Sequence, residues 1–239
     1  MTLVGERANL SGSRAFDRLV TAGDWDAAVD FALAQTSEGA AILDVCLISE
    51  TRDEVRDTEQ FYSRAALRNH RRWMVDSQHP LVMERALQVC GEGQVLNSAS
   101  LANPANLDRV GELALQYGAA IVVACRDAAG PAMTRHAKLD AARRALDQLS
   151  IETDKVILDL LAFPITAFPD ALAETLDAIG LIRQACPGAR TLLALSNFSF
   201  RMPFAERFAL EERILNEACA AGLDFLILNT RRHRGARCL

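Results

Sequence analysis

Trp73-Met74-Val75-Asp76-Ser77 is a three-residue apolar run that stops on a carboxylate and a hydroxyl. The same pattern recurs at Gln94-Val95-Leu96-Asn97-Ser98, at Val156-Ile157-Leu158-Asp159 and at Leu192-Leu193-Ala194-Leu195-Ser196-Asn197. Short runs that are apolar nearly throughout, rather than alternating, are what a parallel sheet buried on both faces requires. If these runs are strands of one barrel, two carboxylates and two carboxamides meet at one rim. They would supply the donors and acceptors that hold a flat, polar heterocycle.

Working outward, the spacing predicts eight strands: Thr2 to Gly5, Ala41 to Val45, Trp73 to Asp76, Gln94 to Asn97, Ala119 to Cys125, Lys155 to Asp159, Thr191 to Leu195 and Asp224 to Leu228. Between them lie segments with apolar residues three and four apart, such as Trp25, Val29 and Leu33, each long enough for a helical crossover. Asp24 and Asn103-Pro104 read as helix starts, Pro80 and Pro169 as first-turn prolines, and Gly39, Gly118 and Gly222 as helix stops. An eightfold βα alternation favours a closed TIM (β/α)8 barrel of the α/β class over an open doubly wound sheet. The stretch after the eighth strand is too short for a closing helix, so the last helix is expected to be short or missing. The domain reading is a barrel over 1–230 and a basic, mobile tail over 231–239. The outer surface left open beside the first and last strands points to a homodimer.

The chain has 239 residues, half of them hydrophobic, which suits one domain with a large core. Its formal charge of −5, from 26 basic and 31 acidic side chains, leaves no electrostatic footprint for nucleic acid. No apolar stretch reaches the roughly 18 residues of a bilayer span, and Glu6, Arg7 and Arg14 stand where a signal peptide needs an apolar core. A cytoplasmic location is expected. The six cysteines, at 46, 90, 125, 186, 219 and 238, lack zinc-knuckle spacing and read as free thiols, with no metal site expected. Cys46 and Cys125 stand at strand ends facing the rim, but no histidine lies nearby to activate either thiol.

Six segments taken in order carry a resemblance. Gly5-Glu6-Arg7-Ala8-Asn9, Leu43-Asp44-Val45, Val75-Asp76-Ser77, Leu96-Asn97-Ser98, Leu158-Asp159-Leu160-Leu161-Ala162-Phe163-Pro164 and Leu195-Ser196-Asn197-Phe198-Ser199-Phe200 with Pro203 resemble the pterin-binding family. Within it, the chain is most similar to methyltetrahydrofolate:corrinoid methyltransferases and to the folate-binding module of cobalamin-dependent methionine synthase. The resemblance implies a barrel that binds 5-methyltetrahydrofolate at its C-terminal rim and passes the N5-methyl group to a corrinoid on a partner protein, leaving tetrahydrofolate. By position, Asp76, Asn97 and Asp159 would anchor the pterin with help from Ser196, Asn9 and Glu6, and Asn197 would lie beside N5 as the catalytic group. Asp44, Ser98 and Arg201 are further candidates.

Departures from the family pattern are Cys46, where relatives carry asparagine, Leu160, where they carry proline, and the pair Arg201-Met202; Arg207 aligns only loosely with an expected arginine. Dihydropteroate synthase, the related enzyme, fits less well because Leu195-Ser196-Asn197 stands where it has a lysine. No Asp-x-His-x-x-Gly corrinoid signature occurs, so a partner must supply the cobalt. An alternative is a non-catalytic pterin-binding or folate-binding subunit of a split methionine synthase or demethylation system. Each residue also has a plainer role open to it. Asp76 and Asp159 could cap the helices that follow, Asn97 and Asn197 could satisfy loop backbone, and Glu6 could pair with Arg7 or Arg14.

Overall fold

Asp76 pairs in register with Asn97 on one side and Cys46 on the other, and Cys46 in turn pairs with Asn9. Those registers belong to a closed barrel of parallel strands, seen in a computed structural model that describes residues 1–68 and 72–235. Its strands are β1 (Thr2–Asn9), β2 (Ile42–Cys46), β3 (Trp73–Asp76), β4 (Val95–Ser100), β5 (Ala120–Ala124), β8 (Val156–Asp159), β9 (Arg190–Ala194) and β10 (Phe225–Leu228). The labels β6 (Arg126–Asp127) and β7 (Gly130–Pro131) go to a small antiparallel hairpin outside the barrel. Around the barrel, β1 closes the ring by pairing with both β2 and β10.

The helices are α1 (Arg14–Thr21), α2 (Trp25–Leu33), α3 (Glu54–Ala65), α4 (Pro80–Cys90), α5 (Pro104–Gln116), α6 (Arg135–Gln148), α7 (Ala171–Ala185), α8 (Leu195–Phe198) and α9 (Phe204–Ala221). Several sequence signals act as read. The Asp24 side chain accepts from the Ala27 amide, Asn103 accepts from Asn106 ahead of Pro104, and Pro80 opens α4. Gly222, at φ 88°, ends α9 in the left-handed conformation that costs glycine least.

Three boundary expectations need correction. The first strand runs to Asn9 rather than Gly5, with a register shift between Gly5 and Ala8, so the polar opening motif lies on the strand itself. The seventh barrel strand ends at Ala194, because Leu195 already begins the single turn of α8. Pro169 precedes the N-cap Asp170 instead of sitting in the first turn of α7. After β10 the chain makes turns through residue 235, and part of its basic segment is folded in. His233 is buried and hydrogen-bonds Glu211 and Glu212, while Arg232 pairs with Glu211 at 3.0 Å. Cys46, Cys90, Cys125 and Cys186 are free thiols, Cys219 is disulfide-bonded contrary to expectation, and Cys238 lies outside the described residues. Cysteine spacing along the chain carries no information about a pairing that depends on proximity in space.

Two cores follow from the barrel geometry. Outside, strand residues pack on the helices; Phe61 and Tyr62 of α3 meet Trp73 of β3 edge-on at 5.7 and 6.0 Å, and Phe16 of α1 meets Phe61 at 6.1 Å. Inside, a smaller cluster fills the barrel with residues such as Val4, Ile42, Met74, Val95, Ile157 and Ile227. Phe61 has no exposed surface and sits at the centre of the aromatic group. Phe61→Ala should therefore lose about 3–5 kcal/mol of stability by urea unfolding, the usual cost of emptying a buried aromatic site.

Candidate active site

Side chains two apart on a strand point the same way, so each interior apolar residue puts its successor one layer higher toward the C-terminal rim. Val4 is thus followed by Glu6, Ile42 by Asp44, Met74 by Asp76, Val95 by Asn97, Ile157 by Asp159 and Ile227 by Asn229. All six of these successors line one cavity of about 540 Å³ at the C-terminal mouth, a size suited to a small organic ligand. Asn9, Ser196 and Asn197 line it as well, so Asp76, Asn97, Asp159 and Asn197 do surround one bowl. Among the further candidates, Asp44 is in the cavity, whereas Ser98 and Arg201 are not. Ser98 follows Asn97 on the strand and so leaves the inward-facing set at a register shift between Asn97 and Ala99. Arg201 is exposed, with its guanidinium 5.5 Å from the Phe200 ring.

The plainer roles are mostly excluded by contacts. Neither Asp76 nor Asp159 caps a helix, since His79 and Asp170 hold the N-cap positions of α4 and α7. Asp159 instead accepts from the Leu161 amide at 3.0 Å. The Asn97 amide donates to Asp44 at 3.1 Å, which fixes its orientation. Glu6 faces inward and accepts from the Ser196 hydroxyl at 3.1 Å, while its neighbour Arg7 pairs with Glu38 at 3.0 Å. A Cβ at Gly5 would lie 2.6 Å from the Gln35 carboxamide oxygen that accepts from the Arg7 amide, so a side chain there would displace that carboxamide. Asn197 is carried by α8, is exposed to the cavity and makes no side-chain hydrogen bond among the described residues. Cys125 does not face the site; its thiol points to the Lys138 carbonyl.

Burial dominates the electrostatics. It raises the Asp159 carboxyl to about 6, against the pull of the Leu161 amide and the Lys138 charge. Burial likewise raises Asp76, and raises Asp44 further because Asp76 lies beside it. Glu6 is raised by burial too, with the Ser196 hydroxyl opposing. Burial and the charge of Asp76 push the Cys46 thiol up, which disfavours a thiolate at that position. Against this acidic floor stand three guanidinium groups, those of Arg7, Arg207 and Arg232. Burial alone would raise Glu211, but bonds from His233, Ser199 and Arg232 outweigh it and hold Glu211 down to about 2, an ionised anchor for Arg232.

The profile of the pterin binding enzyme family matches residues 5–229. The chain belongs to the pterin-binding enzyme family. Among curated relatives of this family member, the methionine synthases of Mycobacterium tuberculosis and Mycobacterium leprae are each 30% identical over 239 residues, covering 95% of the chain. The alignment spans only 20% of the length of either synthase. Similar solved structures include dihydropteroate synthase from Xanthomonas albilineans in complex with 7,8-dihydropteroate, at TM-score 0.64, 17% identity and coverage of 95% and 87% of the two chains. Dihydropteroate synthase from Thermus thermophilus in complex with 6HMPPP aligns at TM-score 0.61 and 22% identity, covering 98% and 90%. At those identities the structures establish the shared barrel. Among the described residues, no helix is long and apolar enough to cross a membrane.

Arg7, Asn229 and Arg232 are cavity residues that motif reading did not select. Asn229 was accessible to the two-residue step from Ile227; the arginines were not, because their placement depends on Glu38 and Glu211, far away in sequence.

A carboxyl whose folded pKa is raised favours the protonated state, so its contribution to stability falls as pH rises from about 4, its unfolded value, through about 6. Asp159→Asn should therefore be more stable than the parent protein by about 1–3 kcal/mol at pH 7.5, with the difference vanishing near pH 4. Urea titrations at the two pH values measure it.

Proposed function

We propose that the chain binds 5-methyltetrahydrofolate in this cavity and promotes transfer of its N5-methyl group to a corrinoid carried by a separate protein. The observation that carries the reading is the arrangement of Asp76, Asn97 and Asp159 on rigid strand ends around the same cavity as the unengaged carboxamide of Asn197. Membership of the pterin-binding family and the similarity to methionine synthase support it.

The aminopyrimidine edge of a reduced pterin presents adjacent N–H donors. Ionised Asp76 and Asp159 accept such donors in charge-assisted bonds, and Asn97, already oriented by Asp44, can offer its carbonyl oxygen. The glutamate tail carries carboxylates, for which Arg7, Arg207 and Arg232 supply counter-charge at the cavity wall. Methyl departure from N5 is slow unless N5 takes up a proton from solvent, so that the C–N bond breaks to leave neutral tetrahydrofolate while the methyl carbon bonds to cobalt. The Asn197 carboxamide, free of protein partners, can hydrogen-bond N5 and strengthen that bond as charge changes there, a contribution of about 3 kcal/mol for a preorganised group. The methyl acceptor is the reduced cobalt of the partner's corrinoid, which the chain itself has no signature to hold. The partner, like a homodimer of this chain, belongs to the proposal.

Mixing the protein with methyltetrahydrofolate and reduced cobalamin, then following formation of tetrahydrofolate, tests the assignment. Turnover is expected. Tight folate binding with no turnover, even with the cognate corrinoid protein, would instead assign the chain as a binding subunit. Asn197→Ala should lower the rate at saturating folate about 100-fold with little change in affinity. Asp159→Asn should chiefly weaken binding. Equal losses of affinity in both variants, with unchanged maximal rates, would remove the role given to Asn197.

A further inference from the structure

Lys138, on the first turn of α6, has no exposed surface, and its ammonium sits against the back of the turn that follows β8. A buried ammonium must replace its lost hydration, and this one does so with three backbone carbonyls. It donates to Ala132 at 3.0 Å, to Leu161 at 3.4 Å and to Leu160 in a short contact. Two of those acceptors belong to the turn whose Leu161 amide bonds the Asp159 carboxylate at 3.0 Å. Leu161 has φ 55°, a left-handed conformation that a branched side chain adopts only when its surroundings enforce it. The lysine thus grips the turn from outside the barrel while the carboxylate grips it from within.

The charge matters as well as the clamp. Among the described residues no carboxylate lies within ion-pair distance of Lys138. The carboxylates in its electrostatic reach are Asp159 and Glu174, and Glu174 is committed to Arg135 at 2.9 Å. The remaining groups facing it are the Cys125 thiol, which burial raises to about 12, and the Phe163 ring at 5.6 Å. Asp159 is therefore the acid toward which the uncancelled charge acts.

We propose that Lys138 is a positioning residue that fixes the Leu160–Leu161 turn and, through it, keeps the Asp159 carboxylate aimed into the cavity, with the lysine's uncancelled charge set behind that turn. The link to ligand binding rests on the function proposed above; the effect on Asp159 does not. Burial lowers Lys138 itself, and Cys125, then Asp159 and Glu174, oppose that fall.

The decisive experiment titrates the full chain by carbon-13 NMR of aspartate carboxyls and lysine Cε, with the Asp159 signal assigned through Asp159→Asn. In the parent protein the Lys138 Cε signal should inflect at the Asp159 midpoint near pH 6. A flat Lys138 signal through that range overturns the proposal without need of a variant. In Lys138→Gln, which keeps donors but no charge, and in Lys138→Met, which keeps neither, the Asp159 midpoint should rise by about one pH unit or more. An unchanged midpoint in either folded variant also overturns it. In Lys138→Gln, a one-unit rise should lower folate affinity about twofold at pH 7, with recovery by pH 9. Absence of folate binding by the parent protein would count against the proposed function alone, since the carboxyl titration decides the role of Lys138 by itself.

Discussion

The two-residue repeat of the barrel strands is the constraint on which the molecule depends. Closing a parallel sheet commits every second side chain to the inside, and an interior filled with Met74, Val95 and Ile157 leaves one further layer before solvent. At the C-terminal mouth that layer is largely polar. Asp44, Asp76, Asn97 and Asp159 occupy it, so their convergence follows from strand geometry and needs no loop to bring them together. The strand registers, with Asp76 opposite Asn97 and Cys46, then set their spacing.

Holding such groups is unfavourable in the free protein. Burial raises Asp44, Asp76, Asp159 and Glu6, so the unliganded cavity carries a concentration of acids that would individually prefer protons or solvent. Under the proposed function, a ligand rich in N–H donors would relieve that strain on binding. Such a local cost is common where a site's shape serves function and not stability. The surrounding architecture compensates through the outer core, where the Phe16, Phe61, Tyr62 and Trp73 rings join α1, α3 and β3.

How much of this was legible in the sequence depended on distance along the chain. The barrel was readable because each unit repeats a local signal: an apolar run, a polar stop and a helix with its own punctuation at residues such as Asp24, Asn103 and Gly222. Four rim residues were readable because they close such runs. Arg7 and Arg232 were not, since each is aimed by an acid on a remote element. The burial of His233 within a basic stretch was equally hidden, because charge composition reports solvation preference and not the carboxylates of Glu211 and Glu212 that override it. Lys138 reads as an ordinary helix-surface cation until the carbonyls that surround it are known.

The residue closest to the proposed chemistry is set on a different kind of support from those proposed to grip the ring. Asp76, Asn97 and Asp159 are fixed by interstrand bonding, while Asn197 rides on the one-turn α8 between β9 and α9. Grip and reactivity thus reside on separately replaceable parts. A change in four consecutive residues could redirect the carboxamide to another ring atom, so one heterocycle-holding barrel can acquire new reactions without rebuilding its foundation.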